Sequence, residues 1–235
     1  MLIRARCWVL AAYACACTLR AEVHVVRVGC PVVSTASLER SVAFYRDALT
    51  FQLAGTSGPA GARTAHLKLG AECLDLTEYH SPEGKPFFSD SNANDLWFEH
   101  IAIVVSDMAA AFDLLRAHHA RFVSNMPQMI PEWNRNAAGI SARYFRDPDG
   151  HYLELIHYPP GKGRPKWQAR SGQLFLGIDH TAIAVADTDR SVRFYRDRLG
   201  LQMTGTGENY GVEQERRFQC ARPHHEFAGE CGDRD

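Results

Sequence analysis

Apolar and polar positions in this chain alternate in short runs, and between those runs they recur at helical spacing. In residues 100–105, His100, Ala102 and Val104 share one face and Ile101, Ile103 and Val105 the other, the period-two pattern of a strand. Asp107 follows at an N-cap position, where a carboxylate accepts the free N–H groups of a first turn. Met108, Ala111, Phe112 and Leu115 then form a helical stripe. The same succession puts Leu38, Val42, Tyr45 and Leu49 on one stripe after Ser37, and Val192, Tyr195 and Leu199 on another after Asp187. Strand-like runs follow the first two helices, at 51–55, 62–69 and 73–78, and again at 122–124, 140–146 and 152–158. The last two flank Asp147-Pro148-Asp149-Gly150, a turn in which proline fixes φ and Asp and Gly suit the other corners.

The helical stripes belong to a repeat. Residues 40–52 read RSVAFYRDALTFQ and residues 190–202 read RSVRFYRDRLGLQ, identical at nine of thirteen positions. A more distant copy begins at Phe98 with FEHIAIVVSDMAAAFDLLRAH. Residues 24–80 and 96–158 are thus two βαβββ units within a domain over 22–160. Residues 161–173, entered through the segment PPGKGRPKW that begins at Pro159, read as a Pro/Gly/basic linker. A third unit starts at Leu174 and runs to about residue 212 without room to finish. The tail, residues 213–235, has neither alternation nor a helical stripe, as a shift of reading frame near Glu215 would produce. Limited proteolysis is expected to cut near Gly161–Trp167.

Composition narrows the function classes. The 26 Lys+Arg and 27 Asp+Glu leave a net charge of −1, without the concentrated positive charge that nucleic acid demands. No run of about 18 apolar residues exists to span a membrane. Residues 1–21, with Arg4 and Arg6 ahead of an uncharged apolar run and small residues Ala14 and Ala16, read as a signal peptide; a buried first helix is the alternative. Cleavage would export the protein to the periplasm or the extracellular space, and a retained leader would leave it cytoplasmic. Of seven cysteines, only Cys30 and Cys73 lie in the body of the chain, so no disulfide framework folds it.

The strand openings EHIAIVVSD and DHTAIAVAD, the SVxFYRDxLG helix and the closing DPDGHYLELI resemble the vicinal oxygen chelate superfamily. That superfamily includes glyoxalase I, bleomycin-resistance proteins, fosfomycin-resistance enzymes and extradiol dioxygenases. The resemblance implies an α+β fold of tandem βαβββ modules, two of them paired into a cup-shaped curved sheet around a divalent metal, plus an incomplete third module. Residues 24–80 and 96–158 are the pair it suggests here. Matching the family's inward positions gives His100 and Glu154 in the second unit, and Asp75 and Cys30 in the first, where relatives commonly carry Glu and His or Gln. His100, Glu154 and Asp75 would supply one nitrogen and two oxygens for iron, manganese, nickel or zinc, with a Cys30 thiolate as a further donor. Glu154 is also the expected catalytic proton carrier. Trp133, Asn134 and Arg135 form the substrate-binding loop. His180 occupies the first inward position of the third unit, where its family partners from a fourth unit are missing. The resemblance implies a glyoxalase- or dioxygenase-like enzyme acting on a small oxygenated substrate. A metal-free binding protein of the bleomycin-resistance kind, or an inactive truncated copy, are the other readings. The exposed edge of the incomplete unit invites a homodimer.

Overall fold

A computed structural model describes residues 25, 29–81, 91, 95–96, 99–124, 127–169 and 172–207, so the leader and the tail fall outside the described residues. The first unit comprises β1 (Val32–Ser34), α1 (Leu38–Asp47), β2 (Gln52–Ser57), β3 (Ala62–Leu69) and β4 (Glu72–Tyr79). The second comprises β5 (Glu99–Val105), α2 (Met108–Ala117), β6 (Arg121–Phe122), β7 (Gln128–Met129), β8 (Ser141–Arg146) and β9 (Tyr152–His157). The third contributes β10 (Phe175–Ile183) and α3 (Thr188–Asp197). Side chains of Ser37, Asp107 and Asp187 accept backbone N–H groups of Arg40, Ala110 and Arg190, so each cap read from the sequence starts its helix.

The strands form two mixed sheets, ordered β1-β4-β3-β2 and β10-β5-β9-β8-β6, with β7 paired to β8. Here the expected pairing of units is corrected. The cup is not closed by residues 24–80 against 96–158. Instead β5 takes β10 as its antiparallel neighbour, with His180 opposite Ala102 and Ala182 opposite His100. The first unit packs elsewhere, on the helix-covered side. Leu38, Tyr45, Leu49, Leu67, Leu74 and Leu76 join Ile101, Ile103, Val105, Leu115, Leu153 and Leu155 in one apolar core. Both faces of β5 are therefore buried, which consecutive order in sequence does not reveal.

A polar clamp joins the first two units. Asp149, in the turn between β8 and β9, accepts from Thr35 at 2.6 Å and Ser41 at 2.9 Å, and pairs with the Arg40 guanidinium. Burial works to raise the Asp149 carboxyl, but the Thr35 and Ser41 hydrogen bonds, with Ala36 N–H and Arg40, outweigh it and hold it below the usual range. A depressed folded-state pKa contributes stability above the unfolded value of roughly 3.9, and that stability is lost as pH falls through the folded value. The stability difference between wild type and Asp149→Asn in urea denaturation is thus expected to be full near pH 6 and to shrink from about pH 4 downward. A difference that grew on acidification would remove this account.

The linker is anchored over residues 162–168. A 3-10 turn at Pro165–Gln168 buries Trp167 to 7% exposure, and Gln168 donates to the carbonyls of Pro159 and Lys162. The third unit, by contrast, leaves its helix bare: α3 buries no residue, and Phe194 is 52% exposed. Its stripe exists as read, but the strands that would cover it are not among the described residues. Cys30 and Cys73 are bonded to each other, 43 residues apart, tying the approach to β1 onto β4.

Candidate metal centre

Alternation along β5 and β9 separates an apolar face, packed on the helices, from a second face. Leu153 and Leu155 belong to the first; Tyr152, Glu154 and Ile156 lie on the other, next to His100, Ala102 and Val104 across the parallel register. Glu154 is 3% exposed, a position in which an ionised carboxylate is costly without partners. Its Oε2 lies 3.3 Å from His100 Nε2 and 3.6 Å from His180 Nε2. Donor atoms of His100, Glu154 and His180 all fall within 4.8 Å of one another. Two ligands each about 2.1 Å from one first-row metal are roughly 3.0–3.4 Å apart in octahedral or tetrahedral geometry; the His100–Glu154 separation falls in that range, and the His180–Glu154 separation is slightly longer. The Tyr144 ring meets His100 edge-on at 5.2 Å.

His180 is held from behind. Its Nδ1 lies 2.9 Å from Asp179 Oδ2, and Asp179 also accepts from Trp167 Nε1 at 2.7 Å and the Tyr158 hydroxyl at 2.9 Å. Burial pushes the Asp179 carboxyl up, yet these three donors outweigh it and bring it to about 2. Burial likewise pushes the His180 imidazole down, while the Asp179 hydrogen bond and the Glu154 and Asp179 charges leave it raised. Burial beside Asp179 pushes the Tyr158 hydroxyl up, so it remains a donor.

Two of the residues expected as ligands have other partners. Asp75 is in the first sheet, 2.8 Å from His66 Nδ1, whose Nε2 meets Ser57 Oγ at 2.7 Å. Cys30 is spent in its disulfide and has no thiolate to give. The donor set is thereby corrected from one nitrogen and two oxygens to two imidazoles and one carboxylate, the set suited to non-haem iron among other divalent metals. Trp133, Asn134 and Arg135 occupy the loop between β7 and β8. Lys162 donates to the Arg135 carbonyl at 2.7 Å there, at the end of β8 where Ser141 faces His157, whereas Glu154 pairs with Tyr144. His180 joins the site without any fourth unit. The signal for it was present in sequence: a histidine at the same strand offset in the second and third units, and none in the first.

A βαβββ scaffold of mixed sheets with two imidazoles and a carboxylate converging on one face is the fold of the glyoxalase and dioxygenase class, with a candidate metal site on it. The sequence model of the Glyoxalase/Bleomycin resistance protein/Dioxygenase superfamily matches residues 23–155 and 177–234, and the chain belongs to that superfamily. It is 28% identical over 140 residues to glyoxalase I of Saccharomyces cerevisiae, covering 58% of this chain and 39% of the yeast protein. It is 37% identical over 103 residues to a 2-epi-5-epi-valiolone epimerase of an Actinomyces species, covering 43% of this chain and 54% of that enzyme. The chain thus spans about half or less of the curated relatives it matches. Among solved structures, a glyoxalase I variant from Zea mays superposes with a TM-score of 0.57 at 17% identity, over 76% of this chain and 56% of that one. A putative dioxygenase from Bacillus subtilis superposes with a TM-score of 0.55 at 14% identity, over 77% and 56%. These two likenesses concern the fold. No helix among the described residues is long and apolar enough to cross a membrane.

Proposed function

We propose that the chain uses a divalent metal (iron, manganese, nickel or zinc) held by His100, Glu154 and His180 to convert a small oxygenated substrate. The convergence of those three donors within 4.8 Å carries this reading. An ion held by these three residues would act as a Lewis acid toward negative charge developing on substrate oxygens. Glu154 is the carboxylate placed to take the proton from the substrate carbon as that charge develops and to return it to carbon. Ala102, Val104, Ile156 and Trp167 form an apolar floor beside it that limits water. Metal analysis of the purified full chain, before and after chelation, tests the reading. One equivalent of ion per chain is expected; a chain that takes up none would remove it.

A second reading, metal-free capture of an aromatic or cationic small molecule, draws on a cavity of about 480 Å³ that includes Tyr158 and Trp167 in its lining. An aromatic ligand bound equally well with and without chelator would favour it. Export of the protein is supported by the Cys30–Cys73 bond, since disulfides persist in oxidising compartments. Association with a second copy is supported by the apolar side chains that the third unit leaves open, Phe194, Tyr195 and Met203 among them. Sedimentation velocity is expected to show a dimer whose fraction falls on Phe194→Ser; a monomer at every concentration would exclude it.

A further inference from the structure

We infer that Asp179 is the positioning residue of this site, and that the chain segment joining the second and third units sets the orientation of the His180 imidazole through it. The inference rests on the metal reading above.

Successive residues of a strand point to opposite faces, so Asp179 and His180 should face away from each other. They do not, because the β5–β10 register slips between Ile178 and His180. Asp179 is the additional residue of that irregularity, and it brings two consecutive side chains to one side of the sheet. The result is the 2.9 Å contact between Asp179 Oδ2 and His180 Nδ1. An ionised carboxylate only accepts hydrogen bonds, so Nδ1 is the nitrogen that keeps its proton, and Nε2, which faces Glu154, is the one that would yield its place to an ion. That is the tautomer a metal requires of an imidazole, and a carboxylate behind the ring fixes it.

Asp179 is itself held. Trp167 Nε1 donates at 2.7 Å, Tyr158 donates at 2.9 Å, and the Arg164 guanidinium stands 3.8 Å away. All three belong to residues 158–167, between β9 and β10. The Trp167 ring reaches Asp179 past Gly177, where a Cβ would come within 2.9–3.0 Å of the ring. The connecting segment is thus tied to the ligand rather than merely spanning two units.

Titration of the full chain with Co²⁺ measures both affinity and the visible absorption of the bound ion, with thermal unfolding of each variant as a control. In Asp179→Asn the amide can offer His180 Nδ1 a donor, which favours the tautomer with its proton on Nε2. This variant is expected to bind about 10–100-fold more weakly and to shift the cobalt spectrum. Asp179→Glu keeps the charge and should recover most of the loss. Trp167→Phe removes one donor and should weaken binding several-fold, and it carries the test if Asp179→Asn does not fold. Wild-type affinity and spectrum in both Asp179→Asn and Trp167→Phe, whatever their melting temperatures, would overturn the inference while leaving the metal reading intact. A wild-type chain that binds no cobalt would overturn both.

Discussion

Glu154→Gln and His180→Ala are each expected to lower metal affinity by about a hundredfold or more, and Asp75→Asn to leave it unchanged. Loss of a partner behind a ligand costs roughly 10–100-fold, and loss of the ligand itself costs more. Glu154 supplies the only charge among the three donors, so replacing it with a neutral amide also removes the attraction for a cation. His180→Ala is the sharper of the two, because it separates the arrangement of units seen here from the one that sequence order suggests. Had the first and second units closed the cup, Asp75 would be a ligand and His180 a bystander. Metal retention measured after dialysis on the three variants distinguishes them; metal kept by His180→Ala and lost by Asp75→Asn would refute the site described.

The second large effect is on stability. Asp147 is 2% exposed, and its Oδ1 accepts the backbone N–H groups of Asp149, Gly150 and His151 while Oδ2 accepts the Tyr45 hydroxyl at 3.2 Å. Asp147→Ala leaves those donors without their acceptor, each buried one costing about 1–3 kcal/mol, and a loss of about 3 kcal/mol or more is expected. Asp147→Asn should cost far less. Its amide oxygen can still take the three N–H groups, and its amide nitrogen can donate to the Tyr45 oxygen. Burial already pushes the Asp147 carboxyl upward, so the geometry of the acceptor matters more than its charge. Urea denaturation of the two variants tests this; equal losses would mean that the charge, not the acceptor, holds the turn.

Much of this architecture can be read from local rules. Ser37, Asp107 and Asp187 announce their helices because a short oxygen-bearing side chain satisfies first-turn N–H groups. Residues 147–150 announce a turn, and alternation along β5 and β9 sorts Glu154 from Leu153 and Leu155. The partner of β5 was not readable in the same way. It depends on which of two similar units meets its edge, and β1 and β10 carry comparable apolar patterns. The role of Asp179 was hidden for a related reason: a one-residue slip in register inverts the facing that alternation assigns, and no residue type signals it. Trp167 lay in a stretch whose prolines, glycines and basic residues read as a linker. Its indole N–H had a destination only once Asp179 was in place.

The helix α1 owes its seat to Arg40, Ser41 and Tyr45, which meet Asp149 and Asp147. Arg190, Ser191 and Tyr195 repeat that trio on α3, and among the described residues no acidic corner meets them. During synthesis or partial unfolding, α3 would therefore be a rival to α1 for that acidic corner, in its own molecule or in a neighbouring one. Thr35 tips the contest, since its hydroxyl adds a contact to Asp149 where the third unit has Val185. Weakening that single hydroxyl would trade intramolecular docking for exchange between molecules.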